Sequence, residues 1–278
     1  MTNLPQKETI KQAINDYCSL KGISKNELAN QIQVSSATLS KIANDNWESI
    51  DEKLWRKIWN KVVINNTPDL LETTDFKACF TTCENAKKHH FMIGLIGDTG
   101  MGKTTALTTF ALRKNVFYVA YDKTMKPKQF FIALLREMGI AFDGSINEMV
   151  NRIADELNTM ANPLIIIDEA GKIVHTMILY LHVLRDKTLK NCGIVLGGMP
   201  YFKSNLIKFS NKEKEGYAEF FRRINIWHSL NGLSRKEVED VCSINGITDK
   251  ETLREMQTKK KFGELYNAIL LLKIQNNL

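Results

Sequence analysis

The chain has 278 residues, of which 44% are hydrophobic, with 38 basic and 31 acidic side chains and a formal charge of +7. That supports one large or two modest domains with a real core, and there is no internal repeat or low-complexity tract. No apolar stretch is long enough to span a membrane, residues 1–8 lack a leader pattern, and five scattered cysteines make no disulfide framework, so a cytoplasmic protein is expected. The basic excess is spread out: 9 basic against 7 acidic side chains in residues 1–61, 15 against 14 in 62–202, and 14 against 10 in 203–278. A polyanionic partner is permitted, but it has to be met by placed side chains rather than by bulk charge.

The first sixty residues read as short helices. Ile10, Ala13, Ile14 and Tyr17 form a helical stripe over 7–20. Ser24 caps a second helix containing Leu28, Ala29 and Ile32, and Ser35 caps a third with Leu39 and Ile42 inward. Trp55 and Trp59 lie on one face of a fourth helix over 51–63. This spacing resembles the lambda-repressor-like helix-turn-helix family over residues 7–62, with Gln33 where the turn usually has glycine. The resemblance implies that Ser35, Ser36, Thr38 and Lys41 face a DNA major groove; the other reading is a small helical docking module. Domain bounds of 1–63, a linker at 64–69, 70–232 and 233–278 follow. The linker is marked by Asn65, Asn66 and Pro68.

From residue 70 the pattern alternates between helix and strand. A helix over 74–88 precedes the apolar run 91–96. Residues 97–104 then read Gly-Asp-Thr-Gly-Met-Gly-Lys-Thr, a complete G-x-x-x-x-G-K-[ST] phosphate loop opening a helix. Gly97, Asp98, Thr99, Gly100, Met101, Gly102, Lys103, Thr104 and Thr105 are the expected ATP-binding set. Lys103 would reach the β and γ phosphates and the Thr104 hydroxyl would hold Mg²⁺. Cys79 and Cys83, with His89 and His90 downstream, have no matching second pair and read as half-buried thiols rather than a zinc site.

A second strand is expected over 116–121, with helices at 126–138 and 145–160. Leu164 to Ile167 form a fully apolar strand closed by Asp168 and Glu169, as in a parallel sheet buried on both faces. Asp168 would hold the Mg²⁺ shell, and Glu169 would polarise the attacking water. A helix at 176–189, a strand at 193–198, a helix at 200–209 and a fifth strand at 223–227 follow. Residues 234–278 read as a small helical unit opened by a Ser234–Glu237 capping box. The fold class is therefore α/β: a parallel, doubly wound sheet with helices on both faces, a C-terminal helical lid and an all-α N-terminal unit.

These motifs in this order resemble the AAA+ P-loop ATPases over residues 70–275. The chain as a whole resembles the transposition ATPases of the phage Mu B type. The resemblance implies an ATPase using ATP and Mg²⁺. It further implies a homo-oligomer, a ring or helical filament, on double-stranded DNA bound with little sequence preference, and recruitment of a DDE transposase. It implies that Arg222 or Arg223 reaches the nucleotide of a neighbouring subunit, with Arg222 favoured because Arg223 is expected to begin the strand. It implies that Lys123, Thr124 and Lys126 contact DNA phosphates. Two usual sensor positions fall on Gly198 and Tyr266: Thr176 or backbone groups would have to serve at the first, and at the second either Lys261 substitutes or nucleotide sensing by the lid is lost, which implies weak hydrolysis stimulated by DNA and transposase. The alternatives are an AAA+ helicase loader and a helix-turn-helix regulator switched by ATP.

Overall fold

The computed structural model describes residues 4–63 and 71–275; the expected linker lies outside the described residues. At the N-terminus, α1 (Lys7–Lys21), α2 (Lys25–Ile32), α3 (Ser36–Ala43) and α4 (Glu52–Val62) close around Ile10, Leu28, Leu39, Trp55 and Ile58. A reciprocal Ser24–Glu27 capping box starts α2. Between α2 and α3, Gln33 takes the left-handed conformation at φ 52°, which the chain tolerates at a cost of about 1–2 kcal/mol.

The remainder holds five parallel strands in the order β2-β3-β4-β1-β5: β1 (Met92–Ile96), β2 (Val116–Ala120), β3 (Leu164–Asp168), β4 (Gly193–Gly198) and β5 (Ile226–Ser229). Alternate residues face opposite sides. Leu164 and Ile166 pack with α5 (Thr74–His89) and α6 (Lys103–Phe110). Ile165 and Ile167 pack with α7 (Pro127–Glu137), α8 (Ile146–Thr159), α9 (His175–Thr188), α10 (Pro200–Asn211) and α11 (Tyr217–Arg223). Both faces are covered, which is why β1 and β4, and β3 up to its terminal Asp168, carry uninterrupted apolar or glycine sequence. The lid is α12 (Arg235–Ile244), α13 (Lys250–Met256) and α14 (Phe262–Gln275), closed around Val238, Cys242, Met256 and Leu265. Among the described residues no helix is long and apolar enough to cross a membrane.

One element corrects the sequence reading. Residues 217–223 form α11, and the last strand starts at Ile226 rather than Arg223. The burial of Tyr217 and Phe220 on one face of a single helical turn outweighs the strand preference of the Ile-Asn-Ile-Trp segment after it.

The N-terminal helices are seated on the sheet domain. Lys21, only 4% exposed, donates from Nζ to the carbonyls of Ala111 at 2.7 Å and Val116 at 2.6 Å. Asn30 and Gln31 donate to the carbonyls of Gly139 and Glu137, and Lys61 pairs with the Glu137 carboxylate at 2.7 Å. Burial pushes the Lys21 pKa down to about 8, with Glu137 opposing the shift.

Candidate nucleotide-binding site

The glycine-rich loop leaves β1 at Ile96 and enters α6 at Lys103. Gly100 and Gly102 have φ of 82° and 81°, where a side chain would be strained, so the motif's glycines are conformational requirements. Gly102 is the N-cap of α6 and offers no side chain to the helix's first amides. Those amides, with the positive end of the helix dipole, are an anion site. Lys103 Nζ folds back to donate to the carbonyls of Gly97 at 2.6 Å and Asp98 at 2.9 Å. Partial burial lowers its pKa, while Asp168 and Glu169 oppose the shift.

Asp168 ends β3, 2% exposed. Its Oδ2 accepts from the Thr104 hydroxyl at 2.7 Å and from the Tyr118 hydroxyl at 3.0 Å. Its Oδ1 accepts from the Glu169 amide at 2.8 Å. Burial, then the Asp168 charge, raises the Tyr118 pKa well above the usual phenol range, so the phenol stays a donor. Glu169 sits in the left-handed region at φ 57°, and its carboxylate lies 3.3 Å from Lys172. Such a conformation in a non-glycine residue is stored strain, frequent beside reacting atoms.

Mg²⁺ binds hard oxygen donors, commonly one or two carboxylates with phosphate oxygens completing its shell. The Thr104 hydroxyl and the Asp168 carboxylate, already in contact, are such donors, so the residues fit the ion. Among the described residues no group of three or more His, Cys, Asp and Glu could hold a metal without help from a ligand. Cys79 and Cys83 are free and buried, with burial pushing the Cys79 thiol up to about 12; they pack as small apolar groups.

Two cavities meet at the loop. One, of about 290 Å³, is lined by residues 99–105, Asp168, Glu169, Gly198, Met199, Phe262 and Gly263. The other, of about 490 Å³, lies between the start of α5 and the lid, with Phe76, Val241, Ile244 and Tyr266 in its wall. Met101, Gly102, Thr105 and Phe262 line both. A polar anion cradle opening into an apolar slot suits a phosphorylated compound with a planar base.

The lid touches the loop directly. The Gly263 amide donates to the Gly100 carbonyl at 2.9 Å, and Lys261 Nζ lies 3.7 Å from the Asp98 carboxylate. Tyr266 is exposed and lines only the larger cavity. At the other sensor position, a Cβ on Gly198 would stand 3.3 Å from Phe202, so the packing itself favours glycine. Thr176 is exposed in the first turn of α9 and lines neither cavity. Met199 stands there instead, its sulfur 3.5 Å from the Thr99 hydroxyl.

Arg222 and Arg223 both end α11, so the strand argument for preferring Arg222 fails. Geometry separates them on other grounds. Arg223 donates to both oxygens of Asp186, at 2.6 and 2.8 Å. Arg222 is exposed and makes no ion pair among the described residues.

Lys123, Thr124 and Lys126 are exposed between β2 and α7. Thr124 spends its hydroxyl and amide on the Asp122 carboxylate, at 2.6 and 2.7 Å, which leaves the two lysines as the free donors of the loop. In the N-terminal helices, Ser35 caps α3 through the Thr38 amide at 3.1 Å and meets the Thr38 hydroxyl at 2.8 Å. Ser36 is exposed, and Lys41 reaches the Ser49 hydroxyl at 3.0 Å. Sequence reasoning missed Tyr118. Its only sequence signal is a hydroxyl in an otherwise apolar strand.

A family model described as the AAA domain matches residues 86–206, which takes in the glycine-rich loop, Asp168 and β4. The chain is 23% identical over 266 residues to the Mu-like prophage FluMu DNA transposition protein B of Haemophilus influenzae, covering 92% of both chains. It is also similar in fold to the ORC1 protein of Aeropyrum pernix, solved in complex with DNA, with a TM-score of 0.54 at 14% identity. That likeness covers 76% of this chain and 61% of the other, so the chain spans about three fifths of that structure.

Proposed function

We propose, taking the chain as an AAA+ P-loop protein that resembles Mu-type transposition proteins B, that it is an ATPase that assembles on duplex DNA and delivers that DNA to a DDE transposase. The observation that carries the reading is the likeness to transposition protein B over 92% of both chains, which extends well beyond the ATPase motifs. The ORC1 relative was solved with DNA, which agrees with a DNA-facing role.

In this reading each side chain has a task. ATP phosphates take the place of the Gly97 and Asp98 carbonyls as acceptors for Lys103 and draw on the free amides of α6. Thr104 and Asp168 would hold Mg²⁺, which when bound would neutralise charge developing on the phosphates. Glu169, released from Lys172, accepts a proton from the attacking water. Arg222, free at the end of α11, is supplied to the nucleotide of the next subunit. Lys123 and Lys126 contact DNA phosphates without reading bases. The N-terminal unit adds a second DNA contact through the exposed Ser36 and Lys41. Lys261, near Asp98, is the lid's cation toward the loop.

The test is hydrolysis with and without random-sequence duplex and a cognate DDE transposase. The reading expects low basal turnover raised by both together. Stimulation by a replicative helicase instead would favour a loader. Tight binding to one operator regardless of nucleotide would favour a regulator.

A further inference from the structure

We propose that Tyr118 is a positioning residue whose hydroxyl locks Asp168 in the orientation that Mg²⁺ and nucleotide require; the proposal rests on the cleft being a Mg²⁺-nucleotide site. The argument begins in the strand register. In the parallel β2–β3 pair, Tyr118 stands opposite Ile166 and Ala120 opposite Asp168. Residues two apart share a face, so Tyr118, Ile166 and Asp168 all lie on the α6 side of the sheet, where Ile166 and Tyr118 pack with Leu107 and Phe110. Tyr118 is thus the diagonal neighbour of Asp168 across the strands, within reach of an aromatic side chain. The phenol does bridge it, ending 3.0 Å from Oδ2.

A carboxylate at a metal site needs such a lock because the terminal torsion of aspartate is broad and two-fold. Three donors hold Asp168: the Thr104 hydroxyl, the Glu169 amide and the Tyr118 hydroxyl. Thr104 is itself a candidate ligand, and Glu169 sits on the strained residue that carries the candidate base. Tyr118 alone is anchored in the sheet with no other task. Its ring fills apolar space that phenylalanine would fill equally, so the hydroxyl is not needed for packing. Partners that orient a metal ligand without touching the metal are commonly worth about 10- to 100-fold in metal affinity.

The experiment compares the full chain with Tyr118→Phe by binding of a fluorescent ADP analogue, first in EDTA and then across a Mg²⁺ series, with thermal melting alongside. The expected result is unchanged affinity in EDTA, melting close to wild type, and at least about a tenfold increase in the Mg²⁺ needed for half the gain in affinity. The proposal is overturned if the Mg²⁺ dependence is unchanged. It is equally overturned if affinity falls alike with and without Mg²⁺, or if the variant loses its cooperative melt, since either outcome gives the hydroxyl a merely structural role. Failure of the underlying reading is distinguishable, because the unmodified protein would then gain no affinity from Mg²⁺.

Discussion

Replacing Arg222 and Arg223 one at a time should separate hydrolysis from stability. Arg223 forks onto Asp186 with both side chains partly exposed, at 22% and 44%. Exposed pairs contribute 0.2–1 kcal/mol, and the two-bond geometry puts this one near the upper end, at about 1 kcal/mol. In a chain of this size that corresponds to a fall in melting temperature of about 2–4 °C for Arg223→Ala. Passed in full to the barrier for hydrolysis, it would slow turnover less than about tenfold. Among the described residues Arg222 has no ion pair to lose, so Arg222→Ala should melt as wild type. If its guanidinium completes a neighbour's site, DNA-stimulated turnover should fall by ~10³ or more. Mixing Arg222→Ala with Glu169→Gln, which still assembles, should restore some activity, because the Glu169→Gln subunit lends its arginine to a neighbour whose own Lys103 and Glu169 are intact. The ion pair with Arg223 holds the Asp186 carboxyl below its usual range. The contribution is therefore complete above the unfolded value of about 3.9 and is lost only as pH falls through the lower folded one. The melting difference for Arg223→Ala should persist at neutral pH and above and vanish in acid. Wild-type turnover by Arg222→Ala, or a thousandfold loss in Arg223→Ala instead, would refute the assignment.

Glu169→Gln should bind ATP and stay assembled on DNA without hydrolysing it, whereas Lys103→Ala should bind nucleotide poorly and not assemble; turnover at the wild-type rate by Glu169→Gln in a phosphate-release assay would remove Glu169 as the base. Replacing Lys123 and Lys126 together should weaken binding to all duplexes alike and flatten the slope of log affinity against log salt by about 1–2 units per protomer; an unchanged slope takes this loop off the DNA. Lys21 has a folded pKa of about 8, below its ordinary 10.5. Burying its cation therefore opposes folding below pH 8, and the penalty is relieved as pH rises from 8 to 10.5. Melting of wild type relative to Lys21→Met should improve across that window, and a difference flat from pH 7 to 10 would contradict the buried-cation account.

The glycine-rich loop and the Asp168–Glu169 pair were legible in the sequence because each is a local pattern: an apolar strand, a turn that demands glycine, and a helix start. The lid's first helix was legible for the same reason, through its capping box. Tyr118 was not, since its contact with Asp168 depends on the register of two strands about fifty residues apart in sequence. Residues 217–223 were missed because a seven-residue helix carries too little periodicity to outweigh the β-rich segment after it. The seat of the N-terminal helices was invisible too. Lys21 reads as an ordinary basic residue in the last turn of a helix, and only the fold reveals the two carbonyls that bury it.

The central claim is that nucleotide controls assembly on DNA irrespective of sequence. It is tested most directly by measuring binding of the Glu169→Gln chain to several unrelated duplexes with ATP, with ADP and without nucleotide. The account predicts salt-sensitive, multi-subunit binding that needs ATP and is nearly equal on every duplex. Binding to one preferred sequence by a dimer, unchanged when ATP is removed, would contradict it.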